Sequence, residues 1–255
     1  MLKPETPEPR EGAQFDSGTI EALKEGEVAL NFLQRESAGD YSELVREAES
    51  NVFRDQRALR ADHSGIWQPY GIPGMPGKKE EVISEIFNTA LPGSVLCDLG
   101  GYNGKTEYVA AGHNVSLYIN VDRYPRGLDD NTPTDSLKGE LRKEAYVIQG
   151  QTLIEGIHNV ISVRADMLDF VSRLRDGSVN ITVNGIDADV IPIKKYHESL
   201  ATEILRVTKH QGIVFGHMSY PLLGYIVKLI EQNSESTKEF QIVYNAEGTV
   251  VILRK

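Results

Sequence analysis

The stretch Val95-Leu96-Cys97-Asp98-Leu99-Gly100-Gly101-Tyr102-Asn103-Gly104-Lys105-Thr106 decides the fold. An apolar run enters a glycine-rich turn, and a helical pattern starts at Thr106. Strand, glycine turn and helix in that order make a ligand site on physical grounds. Glycines let the backbone approach a ligand closely, and a helix N-terminus offers unpaired N–H groups. Two phosphate cradles compete for the assignment. The dinucleotide fingerprint G-x-G-x-x-G fails, because Gly100 and Gly104 are spaced G-x-x-x-G. A P-loop ending at Gly104-Lys105-Thr106 needs glycine where Leu99 stands. Loop length shapes a phosphate cradle, so a P-loop-like phosphoryl-transfer protein is the weaker alternative.

Outward from this turn, helical and strand patterns alternate from about residue 80. Residues 80–90 read as a helix. Residues 94–99, 115–121, 159–164, 179–184 and 212–216 are short runs rich in Val, Ile and Leu. Continuous apolar runs of this kind suit strands buried on both faces of a parallel sheet. Residues 239–244 and 249–254, joined by Asn245-Ala246-Glu247-Gly248, predict a C-terminal hairpin. The expected fold is α/β: a Rossmann-like, doubly wound, mostly parallel sheet with an antiparallel hairpin at its edge. Such sheets bind ligands beyond the carboxyl ends of their strands.

Upstream, residues 1–19 are rich in Pro, Glu and Gly and read as a flexible acidic tail. Residues 20–79 read as a helical extension with a Pro/Gly-rich connector. Residues 80–255 then form the main domain. Arg54, Arg57 and Arg60 fall on one helix face, which is usually a solvated face. The run 123–158 is longer than one helix needs. It is a lid, a homodimer contact or a neutral insertion.

The 255 residues carry a formal net charge of −10, with 40% apolar and 25% charged residues. Residues 1–50 hold −7 of that charge, so the remainder is nearly neutral. The missing basic cluster, rather than net charge, argues against nucleic acid as partner. A single cysteine, Cys97, excludes an internal disulfide and a thiolate-rich zinc site. No apolar run approaches the roughly 20 residues that span a bilayer, so no membrane partner is expected. The N-terminal run Met1–Arg10 has no hydrophobic signal region, and the expected compartment is cytoplasmic.

Five fragments carry a resemblance. Asp98-Leu99-Gly100-Gly101-Tyr102-Asn103-Gly104 resembles the D-L-G-x-G-x-G motif of class I S-adenosylmethionine-dependent methyltransferases, with Tyr102 in place of the middle glycine. Asp122 ends the next strand run, where an acidic side chain can accept both ribose hydroxyls. Arg164-Ala165-Asp166-Met167-Leu168-Asp169-Phe170 resembles the family's G-D-A/M-x-x-L-P-F stretch. Asp176-Gly177-Ser178-Val179-Asn180 resembles D-G-S-F-D. Glu203-Ile204-Leu205-Arg206-Val207-Thr208-Lys209-His210-Gln211-Gly212 resembles E-x-x-R-V-L-K-P-G-G, with His210-Gln211 in place of Pro-Gly.

The resemblance implies a Rossmann-like fold and S-adenosyl-L-methionine as cofactor. It implies Asp98, Gly100, Gly101, Gly104, Asp122, Asp166, Met167 and Asn184 as cofactor-binding positions. In it Asp166 faces the adenine amino group, and the Met167 backbone N–H faces a ring nitrogen. A plain alternative stays open for each aspartate, that of an ordinary strand-end carboxylate. The implied activity is methyl transfer to a small-molecule oxygen or nitrogen. The alternative is a non-catalytic binding module of the same fold, motivated by Tyr102 and the lack of a clear acceptor motif.

Methyl transfer from a sulfonium is an in-line displacement, so proximity and orientation supply much of the catalysis. A base is needed only if the acceptor is protonated. His217 is a candidate base, and Asn184, Asp187 and Asp189 are candidates after the preceding strand run. Asn184-Gly185-Ile186-Asp187 is not the N-P-P-Y/F signature of amino-methylating nucleic-acid enzymes. Trp67, Tyr70 and Tyr220 are substrate-side candidates. No His/carboxylate spacing suggests a metal site, so a metal-independent reaction is expected.

Overall fold

A computed structural model describes residues 39–52, 78–101, 106–122, 147–149, 160–186, 191–218, 220–232, 234–235, 237–246 and 249–255. The acidic tail, Arg54, Arg57, Arg60, Trp67, Tyr70, Tyr102, Gly104, Lys105, most of the 123–158 insertion, Asp187 and Asp189 lie outside these residues.

The elements run α1 (Ser42–Val52), α2 (Lys78–Ala90), β1 (Val95–Leu99), α3 (Glu107–Gly112), β2 (Leu117–Asp122), β3 (Val147–Gln149) and β4 (Val160–Arg164). They continue α4 (Met167–Ser172), β5 (Asn180–Ile186), α5 (Lys194–Val207), β6 (Ile213–Met218), α6 (Tyr220–Glu231), β7 (Phe240–Ala246) and β8 (Thr249–Arg254). One sheet has the order β3-β4-β2-β1-β5-β6-β8-β7. The run β4-β2-β1-β5-β6 is parallel, while β3, β8 and β7 join antiparallel. This is the doubly wound architecture expected from the sequence, with the antiparallel hairpin that the two C-terminal strand runs predict.

Strand periodicity builds the two layers. In β1, Val95, Cys97 and Leu99 face one core, and Leu96 faces the other. In β2, Leu117, Ile119 and Val121 share the first face, and Tyr118 the second. The first face is covered by α1, α4, α5 and α6 through residues such as Ala48, Phe170, Leu200, Ile204 and Ile226. The second is covered by α2 and α3 through Ile83, Phe87, Val109 and Ala110. Helix α5 buries Tyr196, Leu200 and Ile204 at spacings of four, which is one helical stripe. Every residue of β1 is buried, as a parallel strand covered on both faces requires.

The structure differs from the sequence expectation in two places. Residues 147–149 form an edge strand inside what reads as an insertion. Three residues are too few for alternation to show in a sequence. Strand β6 also runs past Gly216 to Met218, because β8 extends the ladder to His217↔Thr249. His217 therefore sits within a strand rather than in the loop after it.

The chain fills β1, β2 and β4 in one direction and then returns to β5 and β6 on the other side of β1. The switch point lies between β1 and β5, and a ligand crevice is expected at the carboxyl ends there. Among the described residues, no helix is long and apolar enough to cross a membrane.

Candidate functional site

The carboxyl end of β1 is built on buried polar groups. Asp98 and Asn120 are register partners, 0% and 1% exposed. The Tyr118 hydroxyl, two residues back on β2, donates to Asp98 Oδ2 at 2.5 Å. Gly100 follows with φ +75°, a conformation that glycine adopts without strain. Its N–H donates to Val121 O at 2.9 Å, stitching the turn to β2. A Cβ on Gly101 would lie 2.5 Å from Asp98 Oδ2 and would overlap Asn120 Oδ1. The turn therefore rests directly on the Asp98–Asn120 pair. Asp98 supports the glycine turn from below, where it is closed to solvent.

Asp122 closes β2 on the adjoining strand and is half-buried. Its carbonyl accepts from Ala165 N at 3.2 Å, joining the end of β2 to the turn after β4. Asp166 follows and is the N-cap of α4. Its Oδ1 accepts from Leu168 N at 2.9 Å and Asp169 N at 3.2 Å. A side-chain oxygen there satisfies donors that the first helical turn leaves unpaired. Tyr196, in the first turn of α5, brings its hydroxyl to 3.0 Å from both Asp166 oxygens. Asp166 is 6% exposed and Tyr196 0%.

On the other side of β1, Asn184 of β5 is the register partner of His217 of β6. Gly216 permits that approach. It has φ +143°, and a Cβ there would overlap Val183 O. Tyr220 opens α6 just beyond β6. The buried ring of His197, in the first turn of α5, meets Ile191 O of the connection from β5 through Nε2 at 2.7 Å. That carbonyl requires Nε2 to carry the proton, and burial holds the imidazole below its ordinary range.

The topology thus places Gly100, Gly101, Asp122, Asp166 and Met167 along one edge, with Asn184 and His217 across the switch point. The other two quoted fragments lie elsewhere. Asp176-Gly177-Ser178 and Glu203–Arg206 meet each other at the amino edge. Arg206 bonds Asp176 Oδ1 at 2.5 Å, Glu203 Oε2 at 2.7 Å and Leu174 O at 2.9 Å. Burial lowers its pKa, but these bonds outweigh it and hold the guanidinium above its ordinary value. The two fragments serve architecture rather than the crevice. Sequence reasoning missed Tyr118, Asn120 and Tyr196. Tyr118 and Asn120 share the strand period with Asp122, which is a usable signal; Tyr196 has none.

A carboxylate such as that of Asp122 is chemically able to accept from paired hydroxyls, and Gly100 and Gly101 carry no side chains. No protein-family model matches the chain, and no curated protein matches it. Among solved structures it is similar to precorrin-6y C5,15-methyltransferase from Geobacter metallireducens GS-15 (15% identity, 74% of this chain and 100% of that one, TM-score 0.40). It is also similar to SMU.1697c from Streptococcus mutans in complex with SAH (11%, 71% and 99%, 0.41). A third is ribosomal protein L11 methylase from Lactobacillus delbrueckii subsp. bulgaricus (17%, 72% and 84%, 0.38).

Proposed function

We propose that the chain is an S-adenosylmethionine-dependent methyltransferase of the class I type, acting on a small-molecule oxygen or nitrogen. One observation carries this. The glycine turn ends β1, at one border of the switch point, on its buried Asp98–Asn120 support, with Asp122 at the end of neighbouring β2 and the Asp166-capped end of α4 after β4. In this reading Asp122 accepts the ribose hydroxyls and Gly100 and Gly101 pass under the nucleoside. Asp166 and the Met167 N–H meet the base, and Asn184 borders the reacting end. Asp98 holds the turn from beneath. S-adenosylmethionine supplies an electrophilic methyl on a sulfonium. The protein's part is to hold the acceptor in line and exclude water. His217 or Asp187 takes a proton where the acceptor carries one. Trp67, Tyr70 and Tyr220 are proposed on the acceptor side, and the reaction is proposed to need no metal.

Calorimetric titration with S-adenosylmethionine, S-adenosylhomocysteine and ATP tests the reading. We expect the first two to bind, with Asp122→Ala weakening them about tenfold or more, as loss of a charged acceptor does. Lys105→Ala should leave them unchanged. Binding of Mg-ATP alone, lost in Lys105→Ala, would establish phosphoryl-transfer chemistry instead. His217→Asn should slow methyl transfer to a found acceptor without altering cofactor affinity.

A further inference from the structure

We infer that His197 is a pH-sensitive latch on the entry to α5. Its neutral imidazole ties Ile191 to the helix, and protonation releases that entry while the rest of the domain stays folded. The chain reaches α5 through Ile191-Pro192-Ile193, and the N-cap Ile193 makes no side-chain bond to the first turn. Such a turn leaves N–H groups that a capping oxygen would hold. The tie comes instead from inside the helix. His197 Nε2 meets Ile191 O at 2.7 Å, and Ile191 is 2% exposed. The ring itself is 1% exposed, and among the described residues nothing bonds its Nδ1. Its aromatic neighbour is Tyr196, edge-on at 6.1 Å between ring centres. Strand β5 borders the switch point, so the latch stands at the carboxyl edge of the sheet. It does not depend on the methyltransferase reading.

The site suits imidazole and not imidazolium. A neutral ring donates once, and Ile191 O takes that proton. A second proton puts an N–H and a charge at Nδ1, where a buried group without a partner is costly. The elements packed on α5 bring no counter-charge to it. On α4, Asp169 pairs with Arg173, and Asp166 caps the helix. On α5 itself Glu203 pairs with Arg206, while Lys194, Lys195 and Glu198 are exposed. Glu43, Arg46 and Glu47 of α1 are exposed, as are Lys228 and Glu231 of α6. Among the described residues only burial, which lowers the pKa of the ring, and the opposing Ile191 bond act on it. The ring therefore takes its proton by leaving its place, and the tie to Ile191 breaks with it.

Hydrogen exchange read by mass spectrometry on the full chain tests the latch, with rates corrected for the pH dependence of exchange itself. The reporters are the amides of Tyr196 and His197, which bond Ile193 O at 3.1 and 3.3 Å. A released ring with an ordinary value near 6.5 is about ten parts protonated to one at pH 5.5, and about the reverse at pH 7.5. Opening of the α5 entry should therefore be about tenfold more populated at pH 5.5 than at pH 7.5. These amides should also be less protected than those of β1, which report global opening and with it the titration of His113 beside Asn88 on the other face. His197→Gln keeps an N–H for Ile191 O and takes no charge. It should retain wild-type protection at pH 7.5 and flatten the response to about twofold or less. Nitrogen NMR of the wild-type ring should show the Nε2–H tautomer and titration below the ordinary value. An Nδ1–H tautomer or titration at the ordinary value would overturn the latch. So would exchange no faster than that of β1, or a pH response that persists in His197→Gln.

Discussion

At the scale of single residues, two glycines do work that no other side chain can do. Gly101 has no room for a Cβ, because Asp98 and Asn120 occupy that space. Gly101→Ala is expected to displace the turn and cost about 1–3 kcal/mol, as overpacking does. Urea denaturation measures that cost, and calorimetry with S-adenosylhomocysteine should show weakened binding. Gly216 combines φ +143° with a Cβ position 2.8 Å from Val183 N. Gly216→Ala should be the more damaging change. Backbone strain of about 1–3 kcal/mol adds there to the steric clash. Both glycines are visible in the sequence, but only Gly101 stands in a motif. The reason for Gly216 lies on the neighbouring strand.

At the scale of elements, the network on α5 holds the N-terminal helix and two turns together. The Tyr41 hydroxyl donates to Glu203 Oε1 at 2.7 Å, docking the start of α1. Burial first, and the Glu203 bond second, push the Tyr41 phenol far above its ordinary range. Glu203 is 3% exposed and is balanced by Arg206, which also bonds the Val171, Leu174 and Ser172 carbonyls. Arg206→Met strands a buried carboxylate and should cost about 3–5 kcal/mol. Tyr41→Phe removes one hydrogen bond and should cost only about 1 kcal/mol. Chemical denaturation of the two variants, run side by side, checks that order. The E-x-x-R fragment quoted from the sequence thus has its role here, at the foot of the domain. Glu203 and Arg206 lie three apart on one helix, so their pairing is legible in the sequence. The reach from Arg206 back to Asp176 across 30 residues is not.

At the scale of the whole molecule, stability depends on pH through imidazoles that the fold holds neutral. Burial lowers the pKa of His113, and burial lowers that of His197 against an opposing bond to Ile191 O. Below an unfolded value near 6.5 the unfolded chain takes up these protons before the folded one does. Stability from this source is therefore complete above about pH 6.5 and is lost as pH falls through the folded values. The thermal midpoint should drop between about pH 7 and 5, and His113→Gln should flatten that slope. Cys97, the chain's one cysteine, is fully buried, and burial raises its thiol pKa well above the ordinary value. An aromatic disulfide reagent should find no reactive thiol in the native protein and one on unfolding, giving a direct count of global opening.

The sequence by itself determined the parallel strands, the hairpin and the glycine turn. Each is written in local periodicity, and local periodicity follows from which face of an element meets water. It also placed Asp122 and Asp166 at strand ends, because strand ends are where apolar runs stop. Only the tertiary structure decided which of the quoted residues stand at the same edge of the sheet. Asp98 proved to be a buried support, and Asp176 and Arg206 proved to bind each other. Tyr196 reached Asp166 from another helix. Such contacts join residues far apart in the chain, and a linear pattern records the spacing along one element rather than the distance between two.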